Sequence, residues 1–364
     1  MVHRRAIVLG GLAAAAAGTA YASISRMGTM SEYKAAAAVA RRVPQIAPDT
    51  HDLIRYATLA ANSHNTQPWR FRSTLGGIDI LADTTRRLAI VDPDDHHLFA
   101  SLGCAAENLL IAAGAGGGIG ALGFDAPSAD TVSLAFSKAP PTERDLCDAI
   151  PIRQSTRGEF DGKAVPTSAL AKLAAAAAVV PGVDLVLVTE RIQIDRIRDL
   201  VLAGNGAQMA DRAFRRELAG WLRFNPHQAL AAADGLFSAT SGNATLPSWL
   251  APLLFDMVFK ADAENDRYAR QIASSAGIAV FAAQRDDRAH WVAAGRACQR
   301  FALQATALGM KHAFLNQPVE VASLRPELAR LVGLPGRRPD IVMRFGYGPA
   351  LPYSLRRPVA AVLA

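Results

Sequence analysis

Five consecutive residues, Arg153-Gln154-Ser155-Thr156-Arg157, put two guanidiniums and two hydroxyls close together in the chain. Such a set can wrap a phosphate: forked N–H donors take its oxygens, and hydroxyl or backbone groups take the rest. The segment follows Pro151 and precedes a helix-forming stretch, and a helix start there would add a favourable dipole. A second segment, Asn62-Ser63-His64-Asn65-Thr66-Gln67-Pro68-Trp69, follows an apolar helical stretch over 54–61. Its amides offer donors and acceptors without charge, which suits the polar edge of a heterocycle. Plainer readings stand beside these: a solvated loop for the first segment, a helix end and turn for the second.

Other constellations carry less. His96-His97 beside Asp92, Asp94 and Asp95 has the residue types of a metal site, but helix capping accounts for the aspartates, and no metal is expected. Gly118-Ile119-Gly120-Ala121-Leu122-Gly123 spells GxGxxG, yet it follows a helical stretch rather than a strand, so the dinucleotide fingerprint fails in context. There is no GxSxG elbow, and no side chain is assigned a catalytic role. Cys104, Cys147 and Cys298 form no CxxC pair and are odd in number, which argues against a disulfide framework or a zinc site.

The elements that must hold these segments show a pattern. Asp94-Asp95 opens a stretch that recurs 192 positions later at Asp286-Asp287 without gaps. Phe99 matches Trp291, Gly103 matches Gly295, Leu109 matches Phe301 and Gly117 matches Gly309. Each copy reads as a buried helix with an N-terminal Asp and a C-terminal Gly. Two such helices suggest two similar halves about a pseudo-twofold axis. A weaker echo pairs Leu59-Ala60-Ala61-Asn62 with Leu202-Ala203-Gly204-Asn205, which leaves an insertion at about 213–262 in the second half, expected to be a lid. β-rich runs at 77–81, 131–136, 183–188, 277–282 and 340–345 mix with helices without a βαβ period, so the expected class is α+β. The halves are expected at 45–140 and 151–364.

The chain has 364 residues, 51% of them hydrophobic, which supports two core-bearing units. Its net charge of +7 favours anionic partners, but the basic residues are scattered and not interleaved with aromatics, so nucleic acid is not expected. Arg4-Arg5, the apolar run after them and Ala20-Tyr21-Ala22 make residues 1–22 read as an export signal of twin-arginine type, or else an uncleaved anchor. An exported, periplasmic or cell-envelope location follows as an expectation. No other stretch is expected to span a bilayer.

Three segments then resemble the FMN-dependent nitroreductase superfamily. They are Ala57 through Phe71 with its Asn-Thr-Gln-Pro-Trp, Arg153 through Arg157 as Arg-x-Ser-x-Arg, and the tail from Arg344-Phe345-Gly346-Tyr347-Gly348 to Arg356-Arg357-Pro358. The type is similar to the mycobacterial Acg-like group, in which two nitroreductase-like halves share one chain, and the resemblance covers almost everything after residue 45. It implies FMN as cofactor, NADH or NADPH as donor, and nitro compounds, quinones or similar acceptors. It implies a pseudo-dimeric monomer with one complete flavin site and one lost. Carried over by position, Arg153, Ser155 and Arg157, with Arg356 or Arg357, would hold the phosphate. Asn62, Ser63, Asn65 and Gln67 would border the other side of the flavin, and Asn316 and Gln317 would run past its reactive edge. The family often has Pro-Ser where this chain has Ala61-Asn62. A lid-closed protein that sequesters FMN with little turnover is the alternative.

Overall fold

Leu75-Gly76 turns the chain back on itself: Gly76 takes φ +83°, which a side chain would resist, and strand β1 (Trp69–Thr74) pairs antiparallel with β2 (Gly77–Ala82). In the computed structural model, which describes residues 26–43, 48–124, 130–250 and 260–364, β3 (Gly118–Phe124) and β4 (Thr131–Lys138) complete a sheet in the order β1-β2-β4-β3. The expected export signal lies outside the described residues, as does 251–259 of the expected insertion. Further on come β5 (Val183–Val188), the short parallel pair β6 (Leu222–Arg223) and β7 (Leu236–Phe237), then β8 (Gly277–Ala283), β9 (Lys311–Phe314) and β10 (Ile341–Gly346). The second antiparallel sheet runs β5-β8-β10-β9, so the two sheets share one order, strand for strand. The class is mixed α+β.

A 20-residue helix lies on each sheet, His96–Ala115 on the first and Arg288–Ala307 on the second, and the two helices pack on each other. Their bounds are 192 positions apart at both ends. A Cβ on Gly103 would sit 2.0 Å from the carbonyl oxygen of Val292, and one on Gly295 would sit 1.9 Å from that of Ala100. Residues 100 and 292, like 103 and 295, differ by 192, so one contact occurs twice, as it would across a twofold axis. Both helices are followed by a left-handed glycine, Gly117 at φ +86° and Gly309 at φ +76°. Their starts differ. Asp287 accepts the His290 N–H at 3.0 Å, but Asp95 is left-handed at φ 62° and caps nothing; Asp92 instead accepts from the N–H groups of His97 and Leu98 at 3.0 and 2.9 Å. By length and hydropathy the His96–Ala115 helix could cross a bilayer, which corrects the expectation that no such stretch exists; here 89% of it is buried in the protein.

The weaker echo does not mark equivalent places. Asn62 falls before β1, whereas Asn205 lies after β5, inside the helix Arg191–Ala210. The helix that precedes β5 and packs on the second central helix, as Thr50–Thr58 precedes β1 and packs on the first, is Thr167–Ala178. The extra chain therefore begins earlier than expected. Two residues join β1 to β2, but 189–276 join β5 to β8, and the expected insertion is one part of that connection.

Candidate functional site

After the helix Thr50–Thr58 the backbone coils tightly. His64, Asn65 and Gln67 take φ of +46°, +54° and +54°. Left-handed conformations cost a residue with a Cβ of order 1 kcal/mol each, so something must hold the turn. Its own amides do so. Asn62 Oδ1 accepts the Gln67 N–H at 2.9 Å, and Asn62 Nδ2 donates to the Ala60 carbonyl at 3.2 Å. Asn65 Nδ2 donates to the carbonyls of Gly235 and Leu355, while its Oδ1 accepts from Arg356 Nη1 at 2.8 Å. Gln67 Nε2 donates to the Ala233 carbonyl and its Oε1 accepts the Arg357 N–H, both at 2.8 Å. The side chains of Asn65 and Gln67 are thus occupied in tying the turn to the β5–β8 connection and to the C-terminal tail. Asn62, Ser63 and Asn65 do face open space; fully buried Gln67 does not.

The segment Arg153–Arg157 leaves the C-terminal end of a short helix, Arg144–Ala149, and the next helix begins only at Thr167. No helix dipole assists it, contrary to the sequence expectation, and its attraction for an anion rests on side chains. Arg344 braces the segment by donating from Nη2 to the carbonyls of Gly158 at 2.7 Å and Thr156 at 3.1 Å, and the Thr156 N–H donates to the His312 carbonyl at 2.7 Å. The Gln154 amide bonds the backbone of Leu351.

Arg153 is 2% exposed; its Nη2 donates to the Leu59 carbonyl at 2.8 Å, and its Nε and Nη1 have no partner. Arg41, which no sequence pattern singled out, arrives from the end of the helix Met30–Ala40. It donates to the Pro151 carbonyl at 2.8 Å, stacks 4.1 Å over the Tyr353 ring, and leaves Nε unpartnered. Arg356 spends its donors on the carbonyls of Thr58 and Ala60, at 2.6 and 3.1 Å, which caps the end of the helix before the turn. These three line a small chamber of about 40 Å³ with Asn65, Gln154, Ser155 and Arg157. Arg357 points its guanidinium to the Ala361 carbonyl and lines neither this chamber nor the next.

Burial, then the charge of Arg153, pushes Arg41 down to about 9. Burial likewise lowers Arg153 and Arg157, and burial with Arg41 and Arg153 beside it lowers Arg356 well below the usual guanidinium range. Among the described residues, none of the four pairs with a carboxylate. Arg41 and Arg153 are buried and Arg157 and Arg356 half-buried. A buried cation left uncompensated costs several kcal/mol, and a phosphate dianion would offset it.

The small chamber shares Ala61, Asn62, Arg157 and Leu236 with a larger one of about 230 Å³. One wall of the larger chamber is polar: Ser63, His64, His97, Ser101, Asn316, Gln317 and Glu320. The β5–β8 connection lines it with apolar Met209, Phe214, Leu218, Leu222, Leu236 and Phe237, and with polar residues that include Asn205, Gln208, Glu264, Arg267, Tyr268 and Gln271. Burial pushes His64 down to about 4 and His97 to about 3, so both rings are neutral near pH 7, and it raises the Glu320 carboxyl. His64 Nδ1, His97 Nε2 and Gln317 Oε1 lack partners. Asn316 Oδ1 is occupied by the Val342 N–H at 2.9 Å. Of the five residues of metal-ligand type read in the sequence, Asp92, His96 and His97 are buried with ligand atoms within 4.8 Å of one another; Asp92 caps the helix, and His96 Nε2 lies 2.7 Å from Asp340 Oδ1.

Of the sequence-expected residues, the structure brings together Arg153, Ser155, Arg157, Asn62, Ser63, Asn65, Asn316, Gln317 and Arg356 along one continuous crevice. It suits a ligand with an anionic head and a flat, partly polar body. A model described as the nitroreductase family matches residues 150–348. Proteins named as NAD(P)H nitroreductases from two strains of Mycobacterium tuberculosis are each 26% identical over 338 residues, 87% of this chain and 92% of theirs. Among solved structures, a nitroreductase with bound FMN from Desulfitobacterium hafniense is 18% identical, covering 59% of this chain and 96% of its own with a TM-score of 0.38. An FMN-dependent nitroreductase from Mycobacterium smegmatis in complex with NADPH is 15% identical, covering 56% of this chain and 88% of its own with a TM-score of 0.37.

Proposed function

Because this chain belongs to the nitroreductase family, we propose that it binds FMN and acts as an NAD(P)H-dependent oxidoreductase on nitro compounds, quinones or similar acceptors. The observation that carries the reading is the cluster of Arg41, Arg153, Arg157 and Arg356, uncompensated by any carboxylate among the described residues and opening directly into an amphipathic chamber. In this reading Arg41, Arg153 and Ser155 hold the phosphate, with Arg157 at the junction of the chambers. Asn62, Ser63, Asn316 and Gln317 border the ring, and Asn65, Gln67, Arg356 and Arg357 keep the turn and tail in place. Bound FMN would supply two-electron transfer. The chain's own contribution is to orient that group, exclude water with the apolar wall, and set donors against it.

We read the chain as a pseudo-dimer of two nitroreductase-like halves, acting as a monomer with one flavin. The shared strand order and the doubled glycine contact support this, as does the placement of Asn62–Trp69 before β1 and of Arg153–Arg157 before β5. An Acg-like membership and export through residues 1–22 belong to the same reading. A second function, sequestration of FMN with little turnover, is favoured by one observation. The β5–β8 connection is fastened over the crevice by Asn65, Gln67 and the Arg86–Asp234–Arg223 ion triad, so it acts as a closed lid.

The purified protein should be yellow, release close to one FMN per chain on denaturation, and bleach on anaerobic mixing with NADH or NADPH. Bleaching followed by rapid reoxidation with a quinone supports the reductase. Tight FMN without bleaching supports sequestration, and a colourless protein that takes up no FMN sinks both.

A further inference from the structure

Delivery of a hydride to a quinone leaves an oxyanion that needs a proton, and the chamber's apolar wall restricts water. Resting on the flavin reading above, we propose that Glu320 is the proton donor to the acceptor. Its place carries the argument. Glu320 ends the short helix Gln317–Glu320 and lines the larger chamber on the same polar wall as His97, Asn316 and Gln317. Gln208 Nε2 donates to Glu320 Oε2 at 2.6 Å, which leaves Oε1 to carry the proton. Among the described residues no cation pairs with this carboxyl, so nothing fixes it as the anion. The charged and titratable groups that face it from neighbouring elements are His97, Asp92, Glu217 and Tyr268. Burial most of all favours its protonated form and the two carboxylates add to it, while His97 and the hydrogen bond from Gln208 oppose.

The balance is simple. When bound, FMN reduced by a nicotinamide would supply the hydride that a two-electron acceptor Q needs. The bond between Glu320 Oε1 and its proton breaks as the O–H bond on the acceptor forms, giving QH2 and a carboxylate that regains a proton from solvent. His97 Nε2, unpartnered and buried on the same wall, is placed to orient the acceptor oxygen by a hydrogen bond. His64 and Tyr268 also line the chamber, but a neutral imidazole and a phenol raised by burial are poorer acids than this carboxyl.

Glu320→Gln keeps the hydrogen-bonding shape without the proton. It should bind FMN as the wild type does, be reduced by nicotinamide at the same rate, and reduce ferricyanide, which takes electrons without protons, unchanged. Its reoxidation by a benzoquinone should fall on the order of a hundredfold and lose its dependence on pH. Glu320→Asp should recover part of that rate. Independently of turnover, the infrared difference between wild type and Glu320→Gln should show a protonated carboxyl that titrates above the ordinary carboxylate range, the band of Asp340 being common to both proteins and cancelling. An unchanged quinone rate, equal slowing with ferricyanide, or no such infrared difference between the two proteins overturns the proposal. A wild type that takes up no FMN overturns it by way of the flavin reading, and is told apart because variant and wild type then agree in every flavin readout.

Discussion

Asn65 and Gly235 exchange two hydrogen bonds: Asn65 Nδ2 donates to the Gly235 carbonyl at 3.0 Å, and the Gly235 N–H donates to the Asn65 carbonyl at 3.1 Å. One residue belongs to the strained turn after the helix Thr50–Thr58, the other to the connection that roofs the crevice. Asn65→Ala removes the side-chain bonds to Gly235 and Leu355 and takes one acceptor from Arg356 Nη1, which keeps the Leu355 carbonyl at 3.0 Å. A buried pair of this kind is worth about 1–3 kcal/mol when one partner is deleted. The variant should melt lower by a matching amount and release FMN roughly tenfold faster, measured by the recovery of flavin fluorescence on dilution. If the connection acts as a closed lid, the same variant should also be reduced faster by nicotinamide.

Arg153 gives a prediction of two opposite signs. Its buried guanidinium has one partner, the Leu59 carbonyl, and two unpartnered nitrogens. Arg153→Met fills similar volume without charge, so flavin-free protein should become more stable, because an uncompensated buried cation is gone. FMN affinity should fall by about 2–5 kcal/mol, the loss typical of removing one partner from a buried charged pair. Inorganic phosphate should raise the melting temperature of flavin-free wild type and leave the variant unmoved. Calorimetric scans with and without phosphate check both signs.

What the sequence made legible follows from how local each signal is. The grouping of Arg153, Ser155 and Arg157, proposed above as a clamp, was readable because they are near neighbours in the chain, and the two central helices because their pattern recurs over a fixed offset. Arg41 was not readable: it reaches the clamp only because the helix Met30–Ala40 packs beside Pro151 and Tyr353. Glu320 and His97 meet on one wall only after the sheets assemble. Strand β3 was hidden by its glycines, which have little β-propensity, and its pairing with β4 supplies what propensity does not. β9 has four residues, too few for a period to show. The dipole expected at Arg157 failed because residues 158–166 run on without a helix before Thr167.

The doubled glycine contact can be tested by symmetry. Gly103→Ala and Gly295→Ala each push a methyl group into a backbone carbonyl, at 2.0 and 1.9 Å before relaxation. Neither carbonyl can rotate aside within its helix, so the helices must separate. Each change should cost about 1–3 kcal/mol or more, and the two costs should be alike because the contacts are alike. The double variant should cost less than the sum, since helices already forced apart by one methyl accommodate the second. Urea unfolding of the three variants measures it; fully additive losses would mean the two contacts relax independently.

The buried histidines set the response to acid. Burial pushes His97 down to about 3, so between pH 6.5 and 3 the unfolded chain binds a proton at this position that the folded protein does not. Stability changes with pH in proportion to protons bound unfolded minus protons bound folded, and that difference is positive here. Stability is therefore full above pH 6.5 and declines as pH falls through the window, by about 1.4 kcal/mol per pH unit for each unmatched proton. His96, pushed to about 3, and His64, to about 4, act in the same sense. Asp340 opposes them: burial raises it to about 7, so the folded protein holds a proton that the unfolded chain releases above about 4. His312, also lowered by burial, joins these histidines, and the raised carboxyls of Asp92, Asp95 and Glu320 join Asp340. Because the histidines begin to charge in the unfolded chain near 6.5, the protein should lose stability as pH falls from there. His97→Asn, which cannot titrate, should flatten that decline by about 1.4 kcal/mol per pH unit, read from urea midpoints at three pH values across the window. An undiminished slope would mean that His97 is charged in the folded protein.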